Sequence, residues 1–330
     1  MGRPRPEFLA DFDEDGAAEQ ADGLYGLPHG PERAAIVVIP VPFEATASFH
    51  KGTAAAPMAI LEASWQVDLF DQEHDEPWVP GIAMQPVDPV FEDLELAAEA
   101  AVARGETAEV DRIGGLVNDR VRQRTAALFD AGRIPAVLGG DHSVPYGAIT
   151  EAAARHPGLG VLHIDAHADL RVAYQGYRWS HASILHNVLE AEEGVGPVVQ
   201  IGIRDLGRAE WQRIQDEPRL TALTDLALGR RLAAGEHLEA ILTEVIAPLP
   251  ERIWITWDID GLDPALCPNT GTPVPGGLGW REALCLLSIV ARSGRQIVGF
   301  DLCEVGREPW DANVGARLLY KLAGAAVATR

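Results

Sequence analysis

Two short segments concentrate carboxylates at a spacing that does chemistry. Asp165, His167 and Asp169 alternate with alanines in DAHAD, and Asp258 and Asp260 repeat the interval in DID. In extended chain, residues two apart point to the same side, so each segment aims its polar groups at one place. A third segment, GGDH at 139–142, adds His142. Like charges crowded where the dielectric is low repel strongly and call for cations. Carboxylates with one imidazole per ion suit Mn²⁺, with Ni²⁺, Co²⁺, Fe²⁺ or Zn²⁺ also fitting. Two such ions ~3.5–4 Å apart lower the pKa of a bridging water and hold it in line with an electrophilic carbon, so the reaction class is metal-assisted hydrolysis. A single DxD is more often a turn or a helix cap; the coincidence of three segments carries the reading. His163, inside an apolar run, reads as a hydrogen-bonded supporting residue rather than a ligand.

Positioning these groups falls to a repeated pattern. Short apolar runs rich in β-branched residues occur at 35–40 (AIVVIP), 134–138 (IPAVL), 160–164 (GVLHI), 198–203 (VVQIGI), 253–257 (IWITW) and 296–302 (QIVGFDL). They read as strands buried on both faces. Amphipathic, helix-like stretches separate them at 107–131, 145–155, 181–191, 236–247, 280–293 and 312–328. This alternation predicts a single parallel sheet with helices on both faces. In such sheets the ligand site lies beyond the carboxyl ends of the strands. The GGDH and DAHAD segments, Arg204-Asp205, the DID segment and Glu304 each follow an apolar run directly.

The chain has 330 residues, 47% hydrophobic and 23% charged, with a net charge of −22. That charge argues against sequence-independent binding of nucleic acid or of an anionic membrane surface. No stretch approaches the ~18 uninterrupted apolar residues of a membrane span. Three cysteines without a CxxC pair fit a reducing compartment, and no secretory h-region is evident near the first residue, so a cytoplasmic location is expected. Residues 1–33, acidic and rich in Gly and Pro, read as an arm; 34–330 read as one catalytic domain.

The motifs together resemble the ureohydrolase family, which includes arginase and agmatinase. GGDHS (139–143), IDAHADL (164–170), SHAS (180–183), DIDGLDPALCPNTGTPVPGGL (258–278), Glu304 and SFHKGTAAAPMAILEAS (48–64) carry the likeness. The resemblance implies a three-layer α/β/α sandwich around a mostly parallel eight-stranded sheet. It also implies two Mn²⁺ per subunit. One would be held by His142, Asp165, Asp169 and Asp258, the other by Asp165, His167, Asp258 and Asp260, with Asp165 and Asp258 bridging. His181 falls where the family has a proton-shuttling histidine, Glu304 where a carboxylate orients the guanidinium, and Thr272 lies in the loop beside it. Asp141 and Asp263 would hold ligands and loops in place. Homo-oligomers, trimers or hexamers, are expected on the same ground.

The resemblance implies a small guanidino compound as substrate, cleaved to urea and an amine. The loop RVAYQGYRWSHAS lacks the Asn- and Ser-bearing pattern of arginases, and Gly207 stands where their acidic residue aligns, although Glu210 persists as a substrate contact. The pattern is therefore agmatinase-like, with agmatine giving putrescine and urea. Guanidino acids, formiminoglutamate, free guanidine and arginine are the alternatives within the chemistry, and Arg171 or Arg178 would suit an acid. Outside it stand a catalytically silent metal-binding homologue and a deacetylase-like hydrolase working with one Zn²⁺.

Overall fold

The computed structural model describes residues 4–18, 23–74 and 76–330. Its eight strands are β1 (Ile36–Val41), β2 (Ile82–Met84), β3 (Ile134–Gly139), β4 (Gly160–Ile164), β5 (Val198–Ile201), β6 (Leu220–Leu223), β7 (Arg252–Asp258) and β8 (Gln296–Cys303). They form one sheet in the order β2-β1-β3-β8-β7-β4-β5-β6. Every pairing is parallel, so the sheet is wholly rather than mostly parallel. The six apolar runs become six of these strands. The other two, β2 and β6, are the edges.

Parallel neighbours need crossover connections, which here are helices. The helices are α1 (Ala56–Ser64), α2 (Pro89–Ala103), α3 (Thr107–Asp130), α4 (Tyr146–Arg155), α5 (Ile184–Leu189), α6 (Arg208–Asp216), α7 (Asp225–Ala233), α8 (Leu238–Ile246), α9 (Trp280–Arg292) and α10 (Pro309–Ala328). Alternation along the strands sorts their side chains into two cores. Ile36, Val38, Leu138, Leu162, Ile255 and Leu302 pack beneath α1 and α7–α10. Val37, Ile39, Val137, Val161, Val198 and Trp254 pack beneath α2–α6. The result is helix, sheet and helix, with both faces of the sheet dry. The stretch expected to be helical over 181–191 divides into a 3₁₀ turn, His181–Ser183, followed by α5. Proline occupies the first turn of α10, where its missing N–H costs nothing.

Of the N-terminal arm, residues 1–3 and 19–22 lie outside the described residues. Around them, Leu9, Leu24, Tyr25 and Leu27 are buried in the core under α1 and α10. The Tyr25 hydroxyl donates to the Ala316 carbonyl at 2.8 Å.

The loops that leave the carboxyl ends of β1, β3, β4, β5, β7 and β8 gather along one rim. The turn after β3 passes under the loop after β1 so closely that a Cβ on Gly140 would lie 2.1 Å from the Phe43 carbonyl oxygen. Only glycine fits there. Gly140→Ala is expected to destabilise the fold on the order of 3 kcal/mol, because the obstacle is backbone. A denaturant midpoint equal to that of the wild type would contradict this.

Candidate metal centre

Strand register assembles the site. Ile164 of β4 pairs with Trp257 of β7, so the next residues, Asp165 and Asp258, emerge side by side. Asp258 in turn pairs with Cys303 of β8, which places Glu304 one step beyond. His142 enters from the turn after β3. Its Nδ1 lies 3.0 Å from Asp165 Oδ2, 3.2 Å from Asp169 Oδ2 and 3.7 Å from Asp258 Oδ2. On the other side of Asp165, His167 Nδ1 lies 3.4 Å from Asp165 Oδ1 and 3.1 Å from Asp260 Oδ2. Among the described residues, two sets of donor atoms each lie within 4.8 Å of one another: His142, His163, Asp165 and Asp169, and Asp165, His167 and Asp260. They share Asp165.

The electrostatics of this cluster fit cations. Burial, and then the charges of Asp260 and Asp165, push the Asp258 carboxyl well above the ordinary carboxylate range. Burial and the Asp165 charge lift Asp169 to about 8. Burial opposes protonation of His167, yet the charge of Asp260 and the bonds to both carboxylates raise it to about 12. Asp165 alone is held well below its usual value, because three histidines outweigh its burial. Burial and mutual repulsion thus work against ionising all these carboxylates together, and divalent ions among them would offset both. The donor set, oxygen-rich with one imidazole on each side, is one that Mn²⁺ and its first-row neighbours accept.

Beneath the cluster runs a polar row that sequence reasoning caught only at His163. Gln200, His163, Thr256 and Asp301 lie in register across β5, β4, β7 and β8. All four are fully buried. Gln200 Nε2 donates to the Ala168 carbonyl at 2.8 Å and faces His163 Nδ1 at 3.0 Å. That leaves His163 Nε2 to donate to Asp165 Oδ2 at 2.9 Å. At the other end, Thr256 Oγ1 meets His142 Nε2 at 2.9 Å and donates to Asp301 Oδ1, also at 2.9 Å. Trp254 Nε1 fixes the second Asp301 oxygen at 2.6 Å. A lone polar residue at matching parity in three otherwise apolar runs was the available signal.

The substrate-side residues fall as follows. Glu304 is 3% exposed, accepts from the His142 amide at 3.0 Å through Oε1, and has no partner for Oε2 among the described residues. His181 lines a cavity of about 300 Å³ together with His167, Asp169, Ser48, Thr272 and Glu210. Burial lowers the His181 pKa, its Nε2 lies 3.2 Å from Ser48 Oγ, and its Nδ1 is buried without a partner among the described residues. Thr272 Oγ1 lies 3.3 Å from Asp260 Oδ2. Glu210 is spoken for by Leu170 N on one oxygen and Gly207 N on the other. Asp141 accepts from Thr46 and Ser143, and so pins the loop after β1 to the metal-bearing turn. Asp263 accepts from the Ala265 amide, a turn within the loop after β7. Arg204 clamps that same loop by donating to the carbonyls of Asp260, Leu262 and Val274. Of the other aromatic residues near the rim, Tyr177 packs with Ala101 and Val110, and Trp179 against Tyr146.

A carboxylate core, flanking imidazoles and a parallel sheet of this order define a metal-dependent α/β hydrolase. The chain belongs to the arginase family, whose sequence profile matches residues 34–326. It is similar to the N(1)-aminopropylagmatine ureohydrolase of Thermus thermophilus, 34% identical over 275 residues and 83% of each chain. It is also similar to the agmatinase of Bacillus anthracis, 30% identical over 277 residues, 83% of this chain and 84% of that one. The crystal structure of arginase from Bacillus cereus superposes with a TM-score of 0.68 at 26% identity, covering 88% of this chain and 98% of the other. As an arginase-family ureohydrolase, the protein is a hydrolase of guanidino C–N bonds, and the family depends on a binuclear metal centre.

Two expectations follow. Thr256→Val keeps the side-chain shape but removes the hydroxyl that orients His142. Divalent-metal affinity should then fall about 10–100-fold, read by calorimetric titration of metal-free protein; unchanged affinity would refute the polar row's role. The second concerns Glu95 of α2, which accepts from the Glu44 amide at 3.0 Å while Glu44 holds the amides of Gly52 and Ala54. Burial, then the charges of Asp141 and Glu44, lifts the Glu95 carboxyl to about 8. A raised carboxyl contributes stability at low pH that is lost as pH climbs through its folded value. Glu95→Gln, neutral throughout, should therefore gain in Tm relative to wild type between about pH 5 and pH 8. Parallel Tm–pH curves would rule this out.

Proposed function

We propose that the protein is a Mn²⁺-dependent amidinohydrolase of agmatinase type. It releases urea from the terminal guanidinium of agmatine, a linear amine without the paired amino and carboxylate groups of an α-amino acid, and leaves putrescine. The supporting observation is Glu304: a buried carboxylate with one oxygen tied to the His142 amide and the other free. Such a group suits the forked N–H pair of a guanidinium. His142, Asp165, Asp169 and Asp258 would hold one ion, and Asp165, His167, Asp258 and Asp260 the other. When bound, the pair activates water for attack near neutral pH.

A guanidinium carbon is resonance-stabilised and a poor electrophile, so placement matters. Glu304 fixes the head group and neutralises its charge. His181, with Ser48 Oγ as the resting partner of its Nε2, takes up the proton that the attacking water loses and gives it to the departing amine nitrogen as the C–N bond breaks. Water and the guanidinium thereby become urea and an alkylammonium. Thr272 steadies Asp260, and Asp141 and Asp263 hold the surrounding loops. Glu210, with both oxygens engaged, lines the cavity wall and braces what touches the substrate tail.

Three free cysteines fit the reducing cytoplasm, where we place the protein. Among the described residues no helix is long and apolar enough to cross a membrane. A homotrimer or hexamer is the assembly this reading carries over from the family resemblance.

The test is urea release by Mn²⁺- or Ni²⁺-loaded protein from arginine, agmatine, 4-guanidinobutyrate and free guanidine. Urea should come from agmatine in preference to the other three, and Glu304→Gln should lower its kcat/KM by about 100-fold or more. Activity on arginine alone would overturn the agmatinase-type reading. Silence on every compound would leave a metal-binding homologue without this activity.

A further inference from the structure

A proton carrier must stand at one place relative to the metal-bearing turn, and the ring of His181 is only lightly held. Its Nδ1 is buried without a partner among the described residues, and its Nε2 faces Ser48 Oγ at 3.2 Å. The Tyr174 ring stands edge-on to it with centroids 6.1 Å apart. The firmer hold is on the backbone. His181 opens the 3₁₀ turn His181–Ser183, and the first N–H groups of a helical turn find no acceptor within it. Ser180 Oγ takes the Ala182 amide at 3.2 Å. The His181 amide donates instead to Thr46 Oγ1 at 3.1 Å, 135 positions earlier in the chain.

Thr46 is buried and has a single hydroxyl proton. That proton goes to Asp141 Oδ2 at 2.7 Å, which leaves a lone pair facing the His181 amide. The Thr46 amide donates to the same carboxylate oxygen at 3.2 Å. Asp141 Oδ1 accepts from the Ser143 amide at 3.0 Å, and His142 lies between the two. A β-branched side chain with few rotamers thus joins the turn that carries His142 to the turn that carries His181. The loop after β1 has other anchors. Glu44 holds the amides of Gly52 and Ala54. The Phe43 carbonyl accepts from the Asp141 amide at 2.9 Å, and the His50 amide donates to the Gly271 carbonyl at 3.0 Å.

We propose that Thr46 is a positioning residue of the reaction: by holding the His181 amide it sets the imidazole against the metal-bearing turn. This rests on the urea-releasing activity proposed above and on the proton transfer assigned there to His181. Placement counts twice in that transfer, because the same imidazole takes a proton from water and passes it to a nitrogen. A misplacement of about 1 Å costs on the order of 100-fold in rate. Without the hydroxyl the buried His181 amide loses its acceptor, and the turn must shift to find another. Ser48, two residues on, meets the imidazole itself, so one loop holds His181 by both backbone and ring. Ser48 and His181 line the cavity and Thr46 does not. Its effect is therefore on rate rather than on substrate binding.

The experiment measures kcat and KM at saturating metal for agmatine, or for the guanidino compound that wild type cleaves fastest. Thr46→Val keeps the shape and removes the hydroxyl. It should lower kcat by about tenfold or more, with KM within about threefold of wild type. Thr46→Ser, which keeps the hydroxyl, should retain most of the wild-type rate. In a His181→Asn background there is no imidazole left to place, so adding Thr46→Val should cost less than about twofold more. In metal-free protein, hydrogen exchange at the His181 amide should quicken about tenfold or more in Thr46→Val but not in Thr46→Ser, a readout without turnover. Thr46→Ala carries the same comparisons if Thr46→Val does not fold. An unchanged kcat, a loss confined to KM, an equal loss in Thr46→Ser, or a loss that adds in full to that of His181→Asn overturns the positioning role while the hydrolase stands. No urea from wild type with any guanidino compound overturns both.

Discussion

Most of the molecule can be understood as a frame for carboxylates that repel one another. Parallel register brings Asp165 and Asp258 out of adjacent strands, which in a sheet stand about 4.8 Å apart. Asp169 and Asp260 follow within a turn, and Asp141 and Glu304 stand close by. Backbone amides of His167, Ala166, Asp260 and His142 donate to Asp165, Asp260, Asp258 and Glu304, but the strands cannot shift apart, since register is set by the two apolar faces below and a one-residue slip would turn every core side chain to the wrong side. Further relief comes from three places: the histidines that donate into the cluster, the polar row that orients them, and the cations the cluster is built to hold. Stability and function are coupled here, because the same charges that cost folding energy make the ion site selective for highly charged guests.

The local backbone carries part of the same load. Among the described residues, Asp169 and Glu304 are two of four non-glycine residues with positive φ, at 53° and 61°. Each such conformation costs roughly 1–2 kcal/mol for an L-residue. In both cases the turn carries a carboxylate into the rim: that of Asp169 to His142, that of Glu304 to the amide of the same residue. The cost is offset by the two dry cores, and it falls on residues for which orientation matters most.

The six central strands and the rim at their carboxyl ends were legible because their signals are local: continuous β-branched runs, each followed at once by a polar cluster. The edges were not. Strands β2 and β6 have only three and four residues, too few to show periodicity against their surroundings, and an edge needs only one neighbour to form. Helices α1, α2, α6 and α7 were likewise unread as separate elements. The ligand-bearing positions emerge together because register makes neighbours of residues that the sequence only places in equivalent spots. Gln200, Thr256 and Asp301 were passed over because each looks like a single polar interruption. Their alignment becomes apparent only when β5, β4, β7 and β8 are laid side by side, and the strand order itself is not written in any one segment.

The strap formed by Leu9, Leu24, Tyr25 and Leu27 bears on how the chain is made. Tyr25 bonds to Ala316, 291 positions later, and the site itself is incomplete until Glu304 has joined His142. On a ribosome, which adds about 5–20 residues each second, Tyr25 is made long before the carbonyl it bonds, and its segment cannot settle against α10 until Ala316 has followed.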